Sequence, residues 1–414
     1  MRGTLRNPMT MGAVAIALGV AGLVSPASAD DNTLIIGSAV SLTGKYATNG
    51  VITQRGYDLG VKRINEMGGV KIGGKTYKLK MKYYDDESTP LRTAELFERL
   101  IKQDGVKLLL GPYSSGTTKA AAPIVEKYEI PMVEGEAASR SLFTQGYKYM
   151  FGIVSTSEQY IDSSIDLAAE MAKKHGKKPS SVKIAMTFEN DPFSLDLRAG
   201  AIARAKKYGM KIIVDDKLPR DLNDMSATLT KVRALKPDVL IVSGHEKGAA
   251  TAVRQLKEQR INVPMITITQ CESADIVKKF GKQAADGILC PTQWAESLSY
   301  KDKYFGTAAD YAKLFEKTYP EYSEVPYQAA QATATLIVWK DALERANSTD
   351  PKKVRAALAK TNLMTFYGPV KFDKTGKNTE KPMVLRQIQN GEYKVVAPTK
   401  YATAKFEYPR HVKY

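Results

Sequence analysis

The stretch of this chain with the most chemical potential runs from Val106 to Glu134, VKLLLGPYSSGTTKAAAPIVEKYEIPMVE. Leu108, Leu109 and Leu110 form a short apolar run ended by Gly111 and Pro112, the pattern of a buried parallel strand. Ser114, Ser115, Thr117 and Thr118 follow at the edge of an Ala-rich helical segment. There, residue types that cap helices meet unpaired N–H groups and partial positive charge. A carboxylate would be well held at such a turn. A helix that is merely capped would read the same way, and the stretch by itself leaves both open.

No catalytic set can be assembled around it. The chain has three histidines, His175, His245 and His411, with no H-E-x-x-H and no Cys/His spacing suited to a metal. Gly111-Pro112-Tyr113-Ser114-Ser115 lacks the G-x-S-x-G elbow of a serine hydrolase. The segment from Gly69 to Thr76 matches the G-x-x-x-x-G-K-[ST] phosphate-loop pattern letter for letter. Its context is wrong, because it leaves a helix and opens a strand, so no helix N-terminus faces a phosphate. The expectation is a binding protein rather than an enzyme, with no metal and no cofactor.

The elements that must position the Ser114-Ser115 turn belong to a chain of 414 residues, too long for one ordinary core, so two lobes are expected. Hydrophobic content of 43% and charged content of 25% are those of a soluble globular protein. The N-terminus differs. Arg2 and Arg6 precede an uncharged run from Met9 to Val24, and Pro26-Ala27-Ser28-Ala29 supplies an A-x-A cleavage site, so residues 1–29 read as a secretory signal peptide. No second run of spanning length follows, and the only cysteines, Cys271 and Cys290, are not placed for lipid attachment; free export to a periplasm is expected. Removing Arg2 and Arg6 takes two charges from +17 and leaves +15. Lys and Arg are spread without a dense basic block, which favours a solvated basic surface over nucleic-acid binding. In an oxidising compartment the two cysteines could close a loop worth about 3 kcal/mol, but sequence separation leaves the pairing open.

Along the chain, Thr33 to Ser41 reads as the first strand, Leu42 to Gly50 as a small-residue loop, and Val51 to Met67 as a helix ended by Gly68-Gly69. A hairpin through Gly73-Gly74-Lys75 and a helix over Pro90 to Asp104 lead into the opening stretch. From Val182 strands and helices alternate plainly: strands at Val182 to Phe188, Met210 to Asp215, Asp238 to Ser243 and Pro264 to Thr269, with helices between. Such alternation means a parallel sheet covered by helices on both faces. Three helices follow, at Ala308 to Thr318, Tyr327 to Arg345 and Pro351 to Lys360, then a β segment from Gly368 to near Val396. The last residues read as a poorly specified tail.

Several stretches together resemble the type I periplasmic substrate-binding proteins of ABC transporters, in the branch of leucine/isoleucine/valine-binding proteins. They are Leu42-Thr43-Gly44 with Ala47 and Gly50; Ile64-Asn65 with Gly68-Gly69; Asp85-Asp86; Gly111 with Ser114-Ser115; Ile130-Pro131; and Gly146-Tyr147 before Phe151. The resemblance implies an α/β fold of two lobes, each a mainly parallel sheet flanked by helices, joined by three crossover segments. These would fall near Gly152 to Ser155, Leu289 to Trp294, and Phe366 to Pro369. Lobe 1 is expected over residues 30–154 plus 295–365, lobe 2 over 155–294 plus 366–400, and a tail over 401–414. A small molecule would bind between the lobes, and a monomer closed around it would dock on the permease subunits of an importer.

Carried over residue by residue, the family's carboxylate-binding serine falls on Ser115, with Ser114 beside it. Its second-strand contacts fall on Ala137 to Ser139, and Tyr46 would line the first-lobe wall. In the second lobe the two aromatic positions fall on Phe193 and His245, and the acid that holds a ligand ammonium falls near Gln270. The last two depart from the pattern, since an imidazole replaces a phenol and an amide cannot neutralise an ammonium. Glu136 or Glu272 could take that role. If neither reaches the cleft, an aromatic carboxylate or an amide becomes the alternative to an amino acid. A ligand-sensing receptor subunit would share the same fold. Trp294 is expected to pack a crossover.

Overall fold

The computed structural model describes residues 32–322 and 324–412, so the signal peptide expected over residues 1–29 lies outside the described residues. The first lobe is laid down by β1 (Thr33–Val40), α1 (Ala47–Glu66), β2 (Val70–Ile72), β3 (Lys75–Asp85), α2 (Pro90–Lys102), β4 (Leu108–Leu110), α3 (Ser115–Lys127), β5 (Met132–Glu134) and β6 (Met150–Gly152). The strands form one sheet in the order β2-β3-β1-β4-β5-β6, parallel except for the β2–β3 hairpin. That hairpin contains the phosphate-loop lookalike, with strand rather than helix after Gly74.

The second lobe alternates α4 (Asp162–Lys174), β7 (Lys183–Glu189), α5 (Pro192–Tyr208), β8 (Lys211–Leu218), α6 (Ser226–Leu235), β9 (Val239–Ser243), α7 (Glu246–Glu258), β10 (Met265–Ile268), the short α8 (Ile276–Phe280) and α9 (Lys282–Ala285), and β11 (Leu289–Thr292). Beyond the two-residue strands β12 (Lys301–Asp302) and β13 (Gly306–Thr307) come α10 (Ala308–Thr318), α11 (Tyr327–Ala346), α12 (Pro351–Leu358), a hairpin of β14 (Asn362–Thr365) and β15 (Gly368–Lys371), then β16 (Val384–Gln389) and β17 (Glu392–Ala397). The second sheet runs β17-β16-β11-β10-β9-β7-β8, parallel up to β11 and antiparallel in its last two strands.

Helix α11 shows why the chain must return to the first lobe. Every residue from Tyr327 to Lys340 is buried, so the helix needs partners on all sides. It lies against α1 where Gly56 and Gly60 allow close approach: a Cβ on Gly56 would stand 2.4 Å from the Ala329 carbonyl oxygen. Trp339 Nε1 donates to Leu109 O at 3.2 Å, which ties the helix to β4. Its N-terminal turns are thereby aimed at the end of the first sheet.

The crossings interlock. Gln293 Nε2 donates to Ser155 O at 2.8 Å, Ser155 Oγ donates to Lys381 O at 2.7 Å, and Lys381 Nζ donates to Gln293 O. The third passage comes later than the expected Phe366 to Pro369, because Gly368–Lys371 pairs back on Asn362–Thr365 as a hairpin. Lys377 bridges to Gly152, and the chain joins the second sheet at Val384. Residues 402–412 are also better specified than a tail: Arg410 N donates to Pro264 O at 2.8 Å, and Arg410 and Val412 are buried. Cys271 and Cys290, left open by the sequence, form a buried disulfide with Cα atoms 5.8 Å apart.

Candidate functional site

The carboxyl ends of both sheets face each other across a cleft. Gly111 ends β4, and a Cβ there would collide with Glu134 at 1.8 Å. Glu134, fully buried, gathers the next loop: it accepts from Ala137 N at 2.9 Å, from Thr118 Oγ1 at 2.9 Å and from Glu136 N. Burial pushes its carboxyl up to about 7. Ser114 Oγ accepts from Thr117 N at 3.3 Å and caps α3, from a backbone φ of 86° that non-glycine residues seldom adopt. Ser115 does something more. Its Oγ accepts from Ser139 N at 3.0 Å, which joins the first turn of α3 to the loop after β5. The N–H groups of that first turn have no partner within the helix, and Ser115 keeps its own hydroxyl proton to donate.

From the second lobe, Asp191 caps α5 by accepting from Ser194 N at 2.9 Å and meets His245 Nε2 at 3.1 Å. His245 Nδ1 lies 3.2 Å from the Tyr113 hydroxyl of the first lobe. Burial works to raise Asp191, but the His245 ring beside it holds the carboxyl below the usual range. Glu189 accepts from His245 N at 3.2 Å and forms a 2.6 Å ion pair with Lys45 across the cleft; burial raises it, with His245 and Lys45 opposing. Donor atoms of Glu189, Asp191 and His245 lie within 4.8 Å of one another. The Lys45 ammonium already supplies the positive charge there, and each of the three has its hydrogen-bond partner.

A cavity of about 20 Å³ remains between the walls, lined by Ser114, Ser115, Glu136, Phe193, His245 and Gln270 among others. These six were picked out from the sequence. Three further candidates sit beside it. Tyr46 covers the site, its ring 4.7 Å from His245 and its hydroxyl accepting from Arg220 Nη2 at 3.2 Å. Ala137 is buried with its N–H on Glu134, and Ala138 lines the cavity instead. The Ser139 hydroxyl is taken by Asp196 of the second lobe and by Ser141 at 2.7 Å. Glu272 is corrected outright: it pairs with Arg386, which also holds Glu324, and does not line the cavity. Trp294 donates to Phe366 O at 3.2 Å and packs a crossover as expected.

Sequence reasoning missed Tyr113, Tyr160, Tyr327, Gln328 and Gln331, all in the lining. Gln328 and Gln331 carried a signal, as two amides on one face of a helix otherwise apolar enough to be buried.

Residues 33–392 match the family model described as periplasmic binding protein. Leu/Ile/Val-binding protein homolog 8 of Brucella abortus is 26% identical over 388 residues, which cover 90% of this chain and 93% of that protein. The substrate binding protein LivJ of a branched-chain amino acid transporter from Streptococcus pneumoniae, solved in complex with isoleucine, superposes with a TM-score of 0.75 at 20% identity, over 88% of this chain and 100% of that one. An ABC transporter solute binding protein from R. palustris, solved in complex with benzoate, gives a TM-score of 0.73 at 19% identity, over 92% of this chain and 98% of that one. At such identities the structural likeness speaks to the fold, two lobes of the type I arrangement.

Proposed function

The chain belongs to the periplasmic binding protein family, and from that premise we propose that it is the solute-binding component of an ABC importer, holding an amino acid or related small carboxylate between its lobes and delivering it to a membrane permease. The family consists of transporter substrate-binding proteins rather than enzymes, and it works in the periplasm. The observation that carries the carboxylate reading is the Ser115 hydroxyl bonded to Ser139 N at the N-terminus of α3, inside the cleft. Both walls are drawn together by Lys45–Glu189, Tyr46–Arg220 and Tyr113–His245. A cavity of about 20 Å³ is far smaller than any such solute, so admission requires the lobes to part about the Ser155–Gln293–Lys381 crossings.

A second reading, an aromatic carboxylate, is favoured by the ring-rich lining of Tyr113, Tyr160, Phe193 and Tyr327 and by an amide, Gln270, at the acid's position. A thermal-shift screen of amino acids, amides and aromatic acids separates the readings. A solute at 100 times its dissociation constant adds about 2.7 kcal/mol to stability. Shifts with aromatic acids and none with amino acids would move the assignment to the second reading. No shift with any carboxylate would sink both.

A further inference from the structure

Resting on the carboxylate reading above, we infer that the solute is an amino- or hydroxy-substituted carboxylate whose donor group is read by Glu136 of the first lobe, with Gln328 beside it, and not by the second lobe. Glu136 is 7% exposed and is the only acid among the described residues that line the cavity. Its Oε2 accepts from Gln331 Nε2 at 2.9 Å, whereas its Oε1 is sealed from solvent without a hydrogen-bond partner. The Thr53 hydroxyl, which donates to Asn49 O at 2.9 Å, lies close enough to moderate the Glu136 charge. Gln328 repeats the pattern. Its Nε2 donates to Gln270 Oε1 at 2.5 Å, which leaves Gln328 Oε1 buried and unpartnered in the same lining.

Two dry acceptors on one wall make a demand that a donor on the solute satisfies. A solute without one leaves them unpaired and is rejected. Burial raises the Glu136 carboxyl well above its usual range, with Glu134 adding and Gln331 and Thr53 opposing, and an ammonium set against it would favour its ionised, accepting form. The opposite wall makes no such demand. Gln270 Oε1 is taken by Gln328, Asp191 by His245 and Glu189 by Lys45. Both poles of the solute would therefore be recognised by the first lobe.

Calorimetric titration of the full chain with matched probes tests this: leucine, 2-hydroxy-4-methylpentanoate and 4-methylpentanoate; 4-aminobenzoate and benzoate; and leucinamide. Within each carboxylate set, the member with a donor should bind at least about tenfold tighter than the member without. Glu136→Leu should abolish that preference, whereas Ser115→Ala should weaken all members alike and preserve it. Glu136→Gln, which keeps an acceptor oxygen, should cost leucine more than its hydroxy analogue, and decides the matter if Glu136→Leu does not melt cooperatively. No preference in the unaltered chain, or a preference that survives Glu136→Leu in a folded variant, overturns the inference. Glu136-dependent binding of leucinamide with no carboxylate bound overturns the carboxylate reading and leaves the role of Glu136 standing. Silence from all six probes overturns both.

Discussion

The two walls of the cleft are built from the same kind of element, the loops at the carboxyl ends of a parallel sheet, yet they handle polarity in opposite ways. On the first-lobe wall the polar groups are hydroxyls, amides and one carboxyl, and two of their hydrogen-bonding positions are open: Glu136 Oε1 and Gln328 Oε1. On the second-lobe wall the ionisable side chains come already partnered, Asp191 with His245 and Glu189 with Lys45. A wall with open positions suits recognition. A wall of matched charges suits a rigid face that closes on whatever the other holds, because an unpaired buried charge would be too costly to keep there.

The comparison can be broken most forcefully at Arg386. Arg386→Leu leaves Glu272 buried without its cation, and stability in denaturant titration should fall by about 3 to 5 kcal/mol. A small loss would mean that the buried charges of the second lobe are not structural. Next comes Glu134, which shapes the first wall. Its carboxyl is raised from 4.5 to about 7 by burial, so the unfolded chain gives up its proton at lower pH than the folded one. Its contribution is present below 4.5 and is lost as pH rises through about 7, on the order of 3 kcal/mol. Glu134→Gln should flatten that slope in melts run across the window.

Smaller effects sharpen the division of labour. Ser115→Ala should weaken solute binding by about 1.5 to 3 kcal/mol if its hydroxyl meets a carboxylate, and should also lower the stability of the unliganded protein by about 1 to 3 kcal/mol, because the buried Ser139 N–H loses its acceptor. Unaltered affinity in calorimetry would remove Ser115 from the site. Tyr46→Phe deletes only the hydroxyl that accepts from Arg220 across the cleft, and should cost about 0.5 to 1.5 kcal/mol. Stopped-flow measurement should find that loss mainly in faster release.

Local patterns carried a large part of the architecture. Leu108 to Leu110 between polar turns announced a buried strand, the repeated strand and helix pattern from Val182 announced a parallel sheet, and the helix expected from Tyr327 to Arg345 ends at Ala346. Ser114 and Ser115 were legible as a helix start for the same reason, since capping is settled within four residues. Glu272 was not legible, because its partner Arg386 lies 114 residues away. Tyr113, placed one residue before the serines, carried no mark of facing His245.

What the sequence determined by itself was the set of elements, their order, and the chemistry available at each turn, since periodicity, caps and breakers act over a few residues. Only the tertiary structure decided which of those groups face one another. Helix α11 delivers Gln328 and Gln331 to the cleft because Gly56 and Gly60 let it lie close on α1. Cys271 meets Cys290 because β10 and β11 are neighbours in the second sheet. Glu136 is left with an open oxygen because Gln331 reaches only one of its two. Partnership of that kind depends on packing between distant segments, and packing is a property of the folded chain rather than of any stretch of it.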